Sequence, residues 1–195
     1  MSYPDLSYKN VVEASENFIK EKHPSLSLPI PIEEIVELKM NIALVAVPGI
    51  KDLLGIDAFI NSSFTQITVD ENSLIKFPER TRFSLAHEIG HLILHNAWYK
   101  KYGPKSFEDY LTFYDNIDKK AYKYMEIQAS TFAGLVLVPS ELLVNELMKR
   151  FGKTPHLENP EFFIPVAQDL LDIFEVSGEV MLRRLQKEKI IKSNS

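Results

Sequence analysis

The segment Arg82–His95, RFSLAHEIGHLILH, carries groups that can hold a metal ion and use it. His87 and His91 are four residues apart, so on an α-helix their side chains lie on one face, one turn apart. Two imidazole nitrogens placed in this way can bind the same zinc ion. Glu88 is rotated by about 100° from His87, so its carboxylate can reach a water on the metal without taking a ligand position. This is the His-Glu-x-x-His arrangement of zinc hydrolases, whose carboxylate takes a proton from that water.

The alternative interpretation is that His87 and His91 are ordinary helix residues, one of them buried and hydrogen-bonded to a carbonyl. The neighbouring residues favour the metal site, because a buried imidazole pair beside a carboxylate is costly without a compensating charge. Those apolar neighbours are Leu85, Ala86, Ile89, Leu92 and Ile93.

A catalytic zinc ion usually has a third protein ligand and one position open to water. The metzincin pattern would supply that ligand from the same segment and requires glycine at position 94 and histidine at position 97. The sequence has Leu94 and Ala97, so the third ligand must come from elsewhere.

Glu126 is the predicted third ligand, because it is an acid in an otherwise apolar helical segment. The small residues after it would let this helix approach the first closely, and Ser130, one turn on, is predicted to orient a ligand by a hydrogen bond. The alternative is a solvated carboxylate on the outer face of the helix. Weaker candidates are Glu108, Asp109, Asp115 and Asp118 in a polar segment, His156 in a Pro-rich linker, and His95, which is expected to support the site or to lie at the surface.

The hydrophobic periodicity predicts an α+β fold in which a small, mostly antiparallel sheet packs on a helical bundle that contains the histidine helix. The expected helices are 10–22, 32–39, 78–98, 121–138, 141–150 and a helix-turn-helix at 164–191, and the expected strands are a buried strand at 41–47 and a hairpin of 55–60 and 65–70. Residues 99–117 are rich in tyrosine and form either a lid or a packed insertion. A single domain is expected over 1–195, with helices and sheet in 1–77, the metal-site helices in 78–139 and a helical part in 140–195.

Composition is that of an ordinary globular protein, with 45% hydrophobic and 25% charged residues among 195. The net charge of −5 disfavours nucleic-acid binding by bulk electrostatics. The absence of cysteine excludes disulfides and thiolate ligands and fits a reducing compartment. Because the sequence shows neither a secretory signal nor an apolar run of about 20 residues, a cytoplasmic protein without membrane partners is expected.

The segment RFSLAHEIGHLILH, followed by EIQASTFAGLVLVP, resembles the ImmA/IrrE-type zinc metallopeptidases. Their pattern runs R-F-[ST]-L-A-H-E-[LIF]-G-H-x-x-x-H and then E-x-[EQ]-A-[ND]-x-F-A-x-x-L-L-x-P. The likeness extends from the predicted hairpin to Pro139, and IFEVSGEVMLRRL also resembles the helical tail of many members. Ser130 stands where the family commonly has Asn or Asp.

By position, the resemblance implies a zincin-like fold, Zn²⁺ as cofactor, His87, His91 and Glu126 as its ligands, and Glu88 as general base. The implied activity is that of a zinc-dependent endopeptidase of narrow specificity that cleaves or inactivates a protein, such as a helix-turn-helix repressor. A further donor would stabilise the oxyanion. The eligible tyrosines are Tyr99, Tyr102, Tyr110, Tyr114, Tyr122 and Tyr124.

Two other functions are considered. A non-proteolytic protein-binding or toxin-type regulatory module on the same fold is disfavoured by the intact Glu88. A DNA-binding regulator is indicated weakly by segment 179–192, which holds five Lys or Arg against two Glu. We expect instead that its two helices pack on the core with Leu182 and Leu185 inward and the charges solvated, so direct nucleic-acid binding is not expected.

Overall fold

The computed structural model describes residues 3–4, 6–152 and 164–191. Of the residues discussed above, His156 and Lys192 lie outside this part of the chain. The helices are α1 (Tyr8–Lys22), α2 (Ile32–Glu34, continued by a π-helical turn at Ile35–Lys39), α3 (Ile50–Leu54), α4 (Glu71–Lys76), α5 (Pro78–Leu94), α6 (Asn96–Tyr102), α7 (Phe107–Asn116), α8 (Lys119–Leu137), α9 (Ser140–Phe151), α10 (Ile164–Phe174) and α11 (Gly178–Lys187). The strands are β1 (Ala43–Val47), β2 (Ala58–Ile60) and β3 (Gln66–Asp70).

The three strands form one mixed sheet in the order β1-β3-β2. The predicted hairpin is confirmed, since β2 pairs antiparallel with β3. The prediction of a mostly antiparallel sheet is wrong, because β1 runs parallel to β3 along its whole length. The prediction that 41–47 is a buried strand is also wrong, because β1 lies at the sheet edge and Ala43, Val45 and Ala46 are exposed.

Helices α5 and α8 pack against each other at the centre of the molecule. Their approach depends on Gly90 of α5, where an added Cβ would lie 3.0 Å from the Cα of Ala129 on α8. Buried apolar side chains surround this crossing, among them Leu85 and Ile89 from α5 and Phe132 from α8. The predicted close approach of the two helices is therefore present, and it brings their polar faces together at one point.

Two buried arginines connect the C-terminal helices to this core through hydrogen bonds to backbone carbonyls. Arg82 donates to the carbonyls of Ile30 (2.7 Å) and Glu175 (3.2 Å), which lie in different parts of the chain. Arg184 donates to the Val138 carbonyl (3.0 Å), just after the end of α8. The expectation that the charges of segment 179–192 are solvated is therefore wrong for Arg184, which is 4% exposed.

Helix α11 packs on α8 and Leu185 is buried, as expected, whereas Leu182 is 42% exposed and not inward. Within the described ranges, no single helix has the length and apolar composition to cross a membrane, although a bent pair, Tyr122–Leu137 with Ser140–Phe151, passes that test on length and composition alone.

The segment predicted as one long helix followed by a connection is instead three helices. Helix α5 ends at Leu94, four residues earlier than expected, and α6 and α7 follow. Tyr99, Tyr110 and Phe113 from this segment are buried, so it is a packed, largely helical insertion.

Candidate metal centre

Three side chains from α5 and α8 converge on one point, where they form a ligand cluster of His87, His91 and Glu126. The Nε2 atoms of the two histidines are 3.1 Å apart. His87 Nε2 lies 3.2 Å from Glu126 Oε2, and His91 Nε2 lies 3.1 Å from Glu126 Oε1. One turn of α5 separates the two histidines, and the Gly90–Ala129 crossing brings the carboxylate of α8 against them.

The spacing and chemistry of the ligand cluster fit a zinc ion. Four donors bound at about 2.0–2.1 Å around a tetrahedral centre lie about 3.3 Å from one another, close to the separations found here. Two imidazoles and one carboxylate are the ligand set of several catalytic zinc sites. Burial raises the pKa of the Glu126 carboxyl, but the facing imidazoles of His87 and His91 outweigh it and hold that pKa well below its usual range. Glu126 is therefore a carboxylate, the form that binds a cation.

Glu88 lies beside the ligand cluster but outside it, in a buried position 6% exposed. Its Oε2 accepts a hydrogen bond of 2.9 Å from the backbone N–H of Ile60 in β2, which fixes the carboxyl group toward the sheet. Burial raises the pKa of Glu88 to about 8; nearby Glu126 adds to the rise, whereas His87 and the Ile60 N–H oppose it. A carboxyl group in this range can both take and return a proton near neutral pH.

Each histidine of the cluster is also contacted on its other nitrogen. Ser130 Oγ lies 3.3 Å from His87 Nδ1, in the place predicted for an orienting residue. His95 Nδ1 lies 3.0 Å from His91 Nδ1, and His95 Nε2 lies 2.9 Å from Gln128 Oε1. His95 is 1% exposed, so it lies in the interior beside His91 and not at the surface.

The part played by Gln128 was not anticipated from the sequence. Gln128 lies two residues after Glu126, and a helix turns by about 200° over that distance, so the two side chains leave α8 in different directions. It reaches His95 because that residue begins the turn after α5 and lies to the side of the ligand cluster. The available signal was the third histidine of the H-x-x-x-H spacing, which needs a partner if it is buried.

The other acids considered as ligands lie elsewhere. Glu108 is exposed at the start of α7, and Asp109 accepts a hydrogen bond from the backbone N–H of Lys105. Asp115 and Asp118 are also exposed. Among the described residues, the structure therefore brings together the two histidines and the acid that the sequence indicated.

The ligand cluster and Glu88 line a cavity of about 740 Å³ that extends to α11. Residues of β2 and α11 line this cavity, and so does Tyr8 of α1. Of the six tyrosines considered as donors, Tyr99, Tyr110 and Tyr122 line this cavity. The hydroxyls of Tyr99 and Tyr122 are bonded to each other at 3.1 Å.

Comparison with known proteins matches most of this chain to one protein family. Residues 67–186, well over half of the chain, match the peptidase M78 family, described as the IrrE N-terminal-like domain. The chain belongs to this family. The resemblance to ImmA/IrrE-type peptidases seen in the sequence is thereby confirmed, and the metal-site helices of this M78 member lie within the matched region.

Two further comparisons concern curated proteins and solved structures. No curated protein matches this M78 member. Among solved structures, a Mycobacterium tuberculosis transcriptional regulator is similar in fold, with a TM-score of 0.56 and 16% sequence identity over 91% of this chain. The chain spans 46% of the length of that regulator. At this identity, the likeness concerns the fold alone.

Proposed function

We propose that this M78 family member is a zinc-dependent endopeptidase of narrow specificity. The observation that carries the proposal is the convergence of His87, His91 and Glu126 beside a buried Glu88, at the wall of a cavity. A zinc ion held by the three ligands would supply Lewis-acid polarisation of a carbonyl and would lower the pKa of a bound water to about 7.

Glu88 is the proposed general base. The hydrogen bond from Ile60 holds one carboxyl oxygen, which leaves the other free to take a proton and later to return it to the leaving amine. Burial raises the pKa of Glu88, which means that the carboxylate binds a proton more strongly than an exposed glutamate does.

Strand β2 is the proposed docking edge for an extended substrate. The backbone hydrogen bonds of Asp57 to Asp70 and of Asn61 to Gln66 show that the odd-numbered residues of this strand face β3. Ala58 therefore directs its backbone N–H and C=O away from β3 and lines the cavity, whereas the N–H of Ile60, which also points away from β3, is bonded to Glu88. A peptide that pairs with this edge would lie across the ligand cluster.

Tyr110 is the proposed donor to the oxyanion. Its side chain is buried in the cavity wall and packs against Phe59 of β2, with ring centroids 5.0 Å apart and ring planes tilted by 43°. Its hydroxyl has no hydrogen-bond partner among the described residues, whereas those of Tyr99 and Tyr122 are bonded to each other. Burial raises the pKa of Tyr110, as do Glu88 and Glu126, so it keeps the proton that a donor needs.

The proposed substrate is a protein of transcriptional control, such as a helix-turn-helix repressor, cleaved in the cytoplasm. The family match supports peptidase chemistry, and the fold neighbour named a transcriptional regulator is consistent with a regulatory setting. Cysteine-free composition fits a reducing compartment. The organisation as one domain over 1–195 is part of the same proposal.

Zinc content and cleavage of a peptide mixture test this function. Zinc-loaded protein is incubated with a peptide library derived from a whole proteome, and new termini are identified by mass spectrometry. We expect cleavage at a small set of sites, and zinc retention without cleavage in Glu88→Gln. If the wild type binds zinc but yields no termini beyond those of Glu88→Gln, the endopeptidase proposal is wrong and a non-proteolytic binding module is favoured.

A further inference from the structure

We infer that His95 and Gln128 are positioning residues that decide which nitrogen of His91 carries the proton, and so aim the Nε2 lone pair of His91 at the metal position. This inference rests on the metal centre of the proposed function. The residues act through a donor chain, defined here as His91, His95, Gln128 and the backbone carbonyl of Leu6.

The direction of the donor chain is set at its Leu6 end. A backbone carbonyl only accepts hydrogen bonds, so the atom of Gln128 that lies 3.0 Å from Leu6 O is its Nε2, which donates. The other amide atom, Oε1, therefore faces His95 Nε2 at 2.9 Å. Since Oε1 only accepts, His95 carries a proton on Nε2.

The position of the ring proton on His95 determines that on His91. His95 is buried and neither of its hydrogen-bond partners is a carboxylate that could compensate a positive charge, so it has a single ring proton. With that proton on Nε2, His95 Nδ1 is an acceptor, and it lies 3.0 Å from His91 Nδ1. His91 must therefore donate from Nδ1, which leaves its Nε2 with a lone pair.

That lone pair faces the ligand cluster. His91 Nε2 lies 3.1 Å from Glu126 Oε1 and 3.1 Å from His87 Nε2, so its lone pair faces a carboxylate acceptor, and a cation held between these atoms would relieve the repulsion between the two acceptors. If His91 carried its proton on Nε2 instead, it would donate to Glu126 and close the cluster to a metal. The donor chain excludes this competing hydrogen bond, because His91 Nδ1 would then have no proton for His95.

Zinc affinity of side-chain variants tests the inference. The zinc dissociation constant is measured by competition with a chromophoric chelator for the wild type, Gln128→Leu and His95→Phe. Loss of an outer-shell partner of a ligating histidine typically weakens metal binding by about 10–100-fold, and we expect this range for both variants. Gln128→Glu keeps an acceptor for His95, so its affinity is expected within about threefold of the wild type.

Gln168→Leu on α10 is the matched control, because Gln168 is exposed and bonds only to Asp172 among the described residues. Thermal unfolding of every variant in chelator separates a loss of zinc affinity from a loss of folding. The ring nitrogens of His91 are also assigned by long-range ¹⁵N–¹H NMR in wild-type protein stripped of metal, which needs no variant.

The inference predicts a protonated Nδ1 and an unprotonated Nε2 in His91. A proton on His91 Nε2, or folded Gln128→Leu and His95→Phe proteins with wild-type zinc affinity, would overturn it while leaving the proposed peptidase intact. A wild type that binds no zinc would refute the metal centre and the positioning role together.

Discussion

Replacing Gly90 by alanine tests whether the crossing of α5 and α8 sets the geometry of the ligand cluster. The new Cβ would lie 3.0 Å from Ala129 Cα, 3.1 Å from Ala129 O and 3.3 Å from Ala129 Cβ. Two of these three atoms belong to the backbone and cannot rotate away. Helix α8 must therefore move away from α5 by a few tenths of an ångström, whereas metal–ligand distances tolerate only about ±0.2 Å.

The expected magnitudes differ for folding and for metal binding. Alanine in place of glycine within a helix stabilises by about 0.5–1 kcal/mol, and overpacking of a core costs about 1–3 kcal/mol. We expect a net loss of about 1 kcal/mol in unfolding free energy without metal, or about 2–4 °C in Tm. Zinc affinity is expected to fall at least about tenfold, because Glu126 moves with α8 while the two histidines stay with α5.

Gly134→Ala is the matched control, measured by the same chelator competition and by thermal unfolding. Gly134 also lies within α8, but its added Cβ meets only side-chain atoms, the Cδ of Arg184 at 3.3 Å and its Cγ at 3.9 Å. This variant is expected to keep wild-type zinc affinity and a Tm equal to or above that of the wild type. If Gly90→Ala behaves in the same way, the helix spacing does not determine the metal geometry and this reasoning is wrong.

Three further predictions concern other parts of the molecule. Arg82→Met leaves the buried carbonyl of Ile30 without its donor, so we expect the unfolding free energy measured in urea to fall by about 2–4 kcal/mol. A change under about 0.5 kcal/mol would contradict this structural role of Arg82. Asp57 is half-buried, and this desolvation raises its pKa, but hydrogen bonds from Lys51, Ser73 and Arg80 outweigh it and hold the pKa below the ordinary value of 3.8. Asp57→Asn should therefore cost about 1–3 kcal/mol at pH 7, with a cost that shrinks as the pH falls below 3.8; a cost independent of pH would refute the assignment. Tyr110→Phe should lower kcat about 100-fold with unchanged KM and zinc affinity, and an unchanged kcat would exclude Tyr110 as the oxyanion donor.

Helical periodicity was sufficient to indicate which polar side chains meet. His87 and His91 share a face because of their spacing, and the small residues near Glu126 indicated close helix packing. The structure brings the three side chains together, although their binding of zinc stays a prediction. Local spacing works here because the site lies where two regular helices cross.

Features that depend on distant contacts could not be obtained in this way. The alternation of residue types along β1 indicates which face is apolar, but it does not identify the neighbouring strand. The sequence therefore did not predict the parallel pairing of β1 with β3. The burial of Arg82 and Arg184 depends on carbonyls 52 and 46 residues away, which no local pattern reveals. The end of α5 at Leu94 was also missed, because His95 leaves the helical conformation where it bonds to His91 and Gln128.

The donor chain ends on a main-chain oxygen, and this affects how the site responds to mutation. Every amino acid has a carbonyl, so exchanging the side chain at Leu6 leaves the final acceptor in place. Sliding or cleaving the backbone around that residue would remove it. Substitutions at position 6 should therefore leave the orientation of the His91 lone pair unchanged. A shift in the position of the backbone just before α1 should disturb it.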